Sequence, residues 1–278
     1  MVEWFKAKVL KTFVDESLPG VRIPNSPPLN MKDKKLIAVW FSCGAASAVA
    51  AKKTIEIYGN THDIRIINNP IAEEHQDNKR FLKDVEKWLG QKIEFAVNPN
   101  FPNQSCVEVW EKKKYMSGIK GAPCTSLLKK KARQVWEKIH RPDYTVLGFT
   151  YDEIKRHERF IQTEKPLLPV LIDLKITKDD CFKILDEQNI KLPHIYSLNF
   201  PNANCIGCVK SSSVEYWKLV KTQFPEIYEH RSSQSKMIGA KLIRYKGVRY
   251  FLDEIPEDAK GRKPKNNIEC GIFCEEKY

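Results

Sequence analysis

From Lys35 onward, short apolar runs alternate with longer amphipathic stretches, and no other feature restricts the fold of this chain so tightly. The runs are Leu36–Phe41, Ile64–Ile67, Ile93–Val97, Tyr144–Phe149 and Leu168–Ile172. A small-residue helix follows the first run to about Tyr58, where Gly59 is placed to end it. The next helix has Asp77 placed as its N-cap and turns Phe81, Leu82, Val85, Trp88 and Leu89 inward. Further helical stretches lie at about 103–115, 125–140, 152–163 and 177–188. Continuous apolar runs of strand length suit strands buried on both faces. Strands that alternate with helices join by right-handed crossovers into a mainly parallel sheet. The sequence therefore predicts an α/β fold, a doubly wound, Rossmann-like sheet with helices on both faces.

The flanks depart from this rhythm. In residues 1–30, Trp4, Phe5, Val9, Leu10 and Phe13 suit one face of a short helix, and Pro19, Pro24, Pro27 and Pro28 make a linker. After about Leu192 come a Cys205/Cys208 loop, a helical segment near 213–230, and a hairpin. In the hairpin, Lys241–Tyr245 and Val248–Leu252 flank Lys246-Gly247, and a Lys/Pro/Asn-rich stretch follows from Lys260 to Asn267. The expected organisation is an N-terminal helix and linker (1–30), an α/β domain (31–192), and a small Cys-rich C-terminal subdomain (193–278) laid against the mouth of the sheet. With 278 residues and 42% hydrophobic content the chain can bury a full core, which excludes a disordered protein. No run approaches the roughly 18 apolar residues of a membrane span, and the N-terminus mixes acids and bases through its apolar positions. A cytoplasmic protein without membrane partners is expected.

The first run leads into Ser42-Cys43-Gly44-Ala45-Ala46-Ser47, a turn of small residues that opens a helix. Backbone N–H groups and the positive end of the helix dipole converge at such a turn, and small side chains admit phosphate oxygens. Ligands of open α/β sheets bind beyond the carboxyl ends of the strands, where this turn falls. Close helix–sheet contact also calls for small residues, but the phosphate reading is the stronger of the two. The turn is neither a Walker loop, lacking Gly-Lys-Ser/Thr, nor a dinucleotide fingerprint. With 47 Lys and Arg against 35 Asp and Glu, a net +12 attracts phosphate-bearing partners without separating a nucleotide from a polynucleotide.

Other charged residues fall on the same side of the sheet. Glu153, Arg156 and Arg159 share a helical face just after a strand, where guanidinium forks suit phosphate or sulfate oxygens. A surface ion pair would use the same spacing. His75, Asp77 and Asn78 follow the second strand and would reach ribose or base edges, although capping alone explains Asp77. Lys129 and Lys130 stand near a helix start, against the local dipole, a placement that fits an anionic partner.

Eight cysteines without a secretory signal favour metal or redox chemistry over disulfides. Cys205-x-x-Cys208 has the spacing to grip one ion, and Cys270-x-x-x-Cys274 would complete a tetrahedral thiolate set for zinc or an iron–sulfur cluster. Cys106 and Cys181 lie in helical patterns as small buried hydrophobes.

Several segments together resemble the phosphoadenosine phosphosulfate reductase-like branch of the PP-loop (adenine nucleotide alpha hydrolase-like) superfamily, many of whose members are phage or bacterial proteins. Ser42-Cys43-Gly44-Ala45-Ala46-Ser47 is similar to Ser-x-Gly-x-x-Ser. The further segments are Glu74-His75-x-Asp77-Asn78-x-Arg80-Phe81, Cys124 with Leu128-Lys129, Gly148-Phe149 with Glu153, Arg156, Arg159 and Phe160, and Asn204-Cys205-Ile206-Gly207-Cys208-Val209-Lys210 before Tyr216-Trp217. The resemblance covers about residues 35–230. It implies an adenine nucleotide held by Ser42, Cys43, Gly44, Ala45, Ala46, Ser47, His75, Asp77, Lys129, Gly148, Glu153, Arg156 and Arg159.

Glu269-Cys270-Gly271-Ile272 resembles the terminal motif whose cysteine attacks sulfur, so the resemblance implies Cys270 as nucleophile. Cluster-bearing members pair a mid-chain cysteine, here Cys124, with a Cys-x-x-Cys, here Cys205 and Cys208. Where they carry two adjacent cysteines this chain has Pro123-Cys124, and where they continue the terminal motif with His it has Phe273-Cys274. Cys270 thus stands open between nucleophile and metal ligand, and the candidate ligands are Cys124, Cys205, Cys208, Cys270 and Cys274. ATP-cleaving members carry an Asp where this chain has Ala46, which favours a sulfonucleotide. The resemblance therefore implies thiol-dependent reduction of adenosine phosphosulfate or its 3′-phosphorylated form, with a thiol donor such as thioredoxin. Two alternatives remain: ATP- and Mg-dependent activation of tRNA or DNA for thiolation, and a non-catalytic nucleotide- or nucleic-acid-binding zinc protein.

Overall fold

The computed structural model describes residues 34–118, 121–161 and 166–261. Strands β1 (Leu36–Phe41), β2 (Asp63–Asn68), β3 (Ile93–Phe95), β4 (Tyr144–Val146) and β5 (Leu167–Leu168) form a parallel sheet in the order β3-β2-β1-β4-β5. The helices are α1 (Ala45–Tyr58), α2 (Asn78–Leu89), α3 (Cys106–Lys113), α4 (Lys131–His140), α5 (Ile154–Phe160), α6 (Val170–Asp173), α7 (Lys178–Glu187), α8 (Val214–Gln223) and α9 (Pro225–Ile238). The α/β fold with a Rossmann-like sheet is as the sequence predicts.

Central β1 explains why its run reads as continuously apolar. Ile37, Val39 and Phe41 enter one core with α1, while Ala38 and Trp40 enter the opposite one with Ile67, Trp136, Phe149 and Phe160. Helix α1 touches both the sheet and α7. Its fully buried Ala45, Ala48, Ala50 and Ala51 let it approach both closely. Gly59 ends it, donating its N–H to the Ile55 carbonyl at 2.9 Å.

Other elements depart from the sequence pattern for identifiable reasons. The run expected to continue as strand to Ile172 stops at Leu168, because Pro169 cannot donate to a ladder, and Val170 begins α6. The stretch 125–140 opens with a wide π turn over Thr125–Lys130 before α4, so Lys129 and Lys130 end that turn instead of opening a helix. The segment near 213–230 is two helices, divided where Pro225 takes the first turn of α9. Asp77 precedes α2 but does not cap it. Its own backbone is helical (φ −64°, ψ −15°), unlike an extended N-cap, and its carboxylate instead accepts from Arg80 Nε and Nη2, each at 2.7 Å. The hairpin forms between β6 (Ile243–Tyr245) and β7 (Val248–Tyr250), with Lys246 and Gly247 both at positive φ, as a two-residue primed turn requires.

A third core joins α3 and the Ala122–Leu128 region to the tail. Trp110, Met116 and Leu128 meet Ile195, Trp217, Val220 and Ile243 there. The tail therefore shares its interior with an excursion from the α/β portion. No helix among the described residues is long and apolar enough to cross a membrane. Residues 1–30, with their expected helix and linker, and Cys270 and Cys274 lie outside the described residues.

Candidate functional site

The chain builds outward from β1 through β2 and β3, then returns to place β4 and β5 on the other side. Loops leaving the carboxyl ends of β1 and β4 therefore diverge, which opens a crevice between them. A cavity of about 570 Å³ fills it, walled by Ser42, Gly44, Ala45, Ala46 and Ser47 after β1 and by Gly148, Phe149 and Thr150 after β4.

The turn after β1 is preorganised. Cys43 takes the bend in the left-handed region (φ 55°), a conformation that costs a non-glycine residue about 1–2 kcal/mol. Its thiol turns into the core, where Asn68 Nδ2 donates to it at 3.5 Å and burial pushes its pKa up. Gly44 is extended (φ −104°, ψ 156°) and serves as the N-cap of α1 without a capping side chain. Ser47 Oγ accepts from the Ser42 amide at 3.1 Å and donates to the Gly44 carbonyl at 2.9 Å, cross-bracing the loop. Gly148 backs directly onto the start of α1: a Cβ there would lie 2.7 Å from Ser47 N.

One wall residue reaches the cradle itself. Tyr196, from the tail, sets its hydroxyl beside the Ala45 and Ala203 amides, and burial raises its pKa to about 12. Its hydroxyl would stand 3.5 Å from a Cβ on Gly44, an ordinary contact, and both residues still border the cavity. A phosphate oxygen seated on the first turn of α1 would compete with that phenol for the Ala45 amide.

Cations reach the cavity from three directions. Arg156 Nη1 donates to Glu153 Oε1 at 2.6 Å, with its guanidinium 4.9 Å from the Phe149 ring centre. Lys129 Nζ lies 3.8 Å from Glu74 Oε1, both on the cavity wall. Lys178, at the start of α7, donates to the Pro201 carbonyl at 2.8 Å, and burial lowers its pKa. A half-buried ammonium and helix-terminal amides on the wall of one crevice are suited to a multiply charged anion.

Of the residues singled out in the sequence, the structure thus brings Ser42, Gly44, Ala45, Ala46, Ser47, Lys129, Gly148, Glu153 and Arg156 to one cavity. Cys43, His75, Asp77 and Arg159 do not line it. His75 packs against the His194 and Phe224 rings, and burial lowers its pKa. Arg159 is exposed. Lys178, Tyr196 and Asn202 escaped sequence reading. Thr177-Lys178-Asp179-Asp180, whose Thr177 and Asp180 form a capping box, was the available signal for Lys178. Tyr196 and Asn202 arrive through tail folding, which leaves no local mark.

The candidate metal ligands divide. Cys124, Cys205 and Cys208 are buried and border a second, small void together with Cys106. Among the described residues, no three His, Cys, Asp or Glu side chains stand as a finished ligand set.

No protein-family model matches the chain, and no curated protein matches it. Among solved structures, it is similar to a phosphoadenylyl-sulfate (PAPS) reductase from Candida auris in a phosphate complex. The TM-score is 0.45 at 8% identity, covering 71% of this chain and 86% of that one. It is also similar to the U34-tRNA thiolase NcsA from Methanococcus maripaludis with its [4Fe-4S] cluster. There the TM-score is 0.41 at 12% identity, covering 86% of this chain and 78% of that one. At such values the similarity is distant and carries no statement about activity.

Proposed function

We propose that the chain is an enzyme that binds an adenine nucleotide with its anionic tail on Gly44–Ser47 and reduces an adenylylated sulfate through a cysteine nucleophile. The observation that carries this reading is the cavity at the β1/β4 crevice. It is bounded on one side by helix-terminal amides and on the others by Lys129, Arg156 and Lys178. Amides and cations there would hold phosphate and sulfate oxygens, while Phe149 and Phe160 supply apolar surface for a base.

In the proposed reaction the Cys270 thiolate attacks the sulfur of the sulfonyl group. The S–O bond to the nucleotide phosphate breaks, the nucleotide leaves as its phosphate, and an S-sulfonated cysteine remains. A dithiol donor of the thioredoxin class then attacks the cysteine sulfur and expels sulfite. The donor's second thiol resolves the mixed disulfide, so the two electrons come from the dithiol. The basic cavity would favour the Cys270 thiolate. Ala46 leaves the cradle without the carboxylate that ATP-cleaving relatives carry, which weighs against the nucleic-acid thiolation reading despite the net charge of +12.

The test is calorimetric titration with adenosine phosphosulfate, its 3′-phosphorylated form and ATP, followed by sulfite release with a supplied dithiol. Tight binding of a sulfonucleotide and sulfite formation that Cys270→Ser abolishes are expected. Binding of ATP alone, with pyrophosphate release in the presence of tRNA or DNA, would replace this reading with the thiolation one. No nucleotide binding at all would leave the non-catalytic module.

A further inference from the structure

The segment after β2 carries a motif that the nucleotide reading leaves unused. His75, Asp77 and Arg80 fall on the side of the sheet where a ligand binds, yet none of them lines the cavity. Arg80 also stands in the first turn of α2, where the helix dipole disfavours a cation. Its partners explain the placement.

The guanidinium grips the Asp77 carboxylate as a fork, Nε to Oδ1 and Nη2 to Oδ2, each at 2.7 Å. From there it reaches the tail, where Nη1 donates to the Lys191 carbonyl at 3.1 Å and Nη2 to the Leu192 carbonyl at 3.0 Å. Asp77 Oδ2 in turn accepts from the His194 amide at 2.8 Å, and the His75 ring packs 5.5 Å from the His194 ring, centre to centre. One ion pair thus holds the backbone of Lys191, Leu192 and His194 through charge-assisted hydrogen bonds. A planar guanidinium serves a carboxylate and two carbonyls at once, which an ammonium cannot do.

What this clamp holds leads straight to the cradle. His194 opens a tight helical turn, His194–Tyr196, in which the Tyr196 amide donates back to the Pro193 carbonyl at 3.0 Å. Tyr196 therefore follows closely on the clamped amide, and its hydroxyl stands beside the Ala45 amide at the start of α1. Farther on, Lys178 Nζ donates to the Pro201 carbonyl at 2.8 Å, and Asn202 joins the cavity wall. The segment 191–202 is pinned at one end by the pair at the start of α2 and at the other by α7. The phenol lies between the two pins.

We propose that Asp77 and Arg80 are positioning residues for the nucleotide site: they hold the segment 191–202 so that the Tyr196 phenol stands over the Ala45 amide as a latch, which an incoming phosphate oxygen displaces. The proposal rests on the reading of Gly44–Ser47 as the nucleotide cradle. Neither residue touches the nucleotide. A charged oxygen at Ala45 offsets the loss of the phenol better than a neutral one, so the latch favours anionic nucleotides over uncharged nucleosides.

Arg80→Lys is the informative variant, because it keeps the positive charge and loses the fork, whereas Asp77→Asn would alter the net charge near an anion site. Full-length wild type, Arg80→Lys, Tyr196→Phe and the double variant are titrated calorimetrically with adenosine phosphosulfate and with ATP. The Ala45 amide resonance is followed by NMR in the nucleotide-free proteins. Arg80→Lys is expected to lower Tm and yet tighten nucleotide Kd a few-fold, to move the Ala45 resonance in the same direction as Tyr196→Phe, and to leave Kd unchanged where Tyr196 is already Phe. A residue that merely stabilised the fold would lower Tm without tightening binding, and would act alike in both backgrounds. Weaker binding, an unmoved Ala45 resonance, or equal tightening in both backgrounds overturns the latch and leaves the cradle standing. Wild type that binds neither nucleotide removes the cradle itself, and the latch with it.

Discussion

Gly44→Ala separates a phosphate cradle from a merely close-fitting turn. Gly44 has φ −104° and ψ 156°, a conformation open to any L-residue, so alanine brings no backbone strain. Its Cβ would meet the Tyr196 hydroxyl at 3.5 Å and Ser42 Oγ at 3.8 Å, both ordinary contacts. Restricting the unfolded chain stabilises by about 0.4–1 kcal/mol, and alanine is worse than glycine as an N-cap by a similar amount. The net change is near zero, so Tm should move by no more than about 2–4 °C. The new methyl, however, stands on the cavity wall where a phosphate oxygen would approach the amides of α1. Losing one amide–phosphate hydrogen bond, at about 1.5–3 kcal/mol, weakens Kd roughly 10- to 150-fold. Differential scanning calorimetry and isothermal titration with the tightest adenine nucleotide measure the two quantities on one preparation. A variant with unchanged Tm and unchanged Kd would refute the cradle and, with it, the proposed function.

Gly148→Ala should behave in the opposite way, because its Cβ would lie 2.7 Å from Ser47 N and 2.8 Å from Ser47 Cα, backbone atoms that cannot rotate aside. Overpacking of about 1–3 kcal/mol should lower both Tm and nucleotide affinity, and a wild-type melting curve would contradict the close approach of β4 to α1. Tyr196→Phe should tighten nucleotide binding a few-fold in titration by clearing its hydroxyl from beside the Ala45 amide; weaker binding would mean that the phenol is a ligand contact. Hydrogen bonds from Arg80 hold the Asp77 pKa down to about 2, against 3.8 without them, so its contribution to stability is complete above about pH 4 and is lost as pH falls through 2. Asp77→Asn should flatten that limb of a chemical-denaturation profile between pH 4 and 2, and an unaltered limb would exclude the Asp77–Arg80 pair as its source.

How much of this could be read from the chain depends on whether the cause is local. Strand β1 and the turn into α1 were legible because a strand buried on both faces must be apolar throughout, and a helix wedged between sheet and α7 must be small along much of its length. Nothing local marks Tyr196 as the group on the cradle, since its place is set by the fold of the tail. The same limit explains Cys106. Read along one helix, an isolated cysteine at an inward position is a small hydrophobe, and only the Glu73 carboxylate, 33 residues upstream, turns the start of α3 toward the Cys205–Cys208 turn. The π turn at Thr125–Lys130 belongs to the same class: it sets Lys129 on the wall of the nucleotide cavity and of the cysteine void alike. A lysine on the cavity wall is placed to hold the nucleotide's anionic tail. Lys129→Met should therefore weaken nucleotide Kd about 10-fold or more in titration, and an unchanged Kd would take Lys129 off the tail.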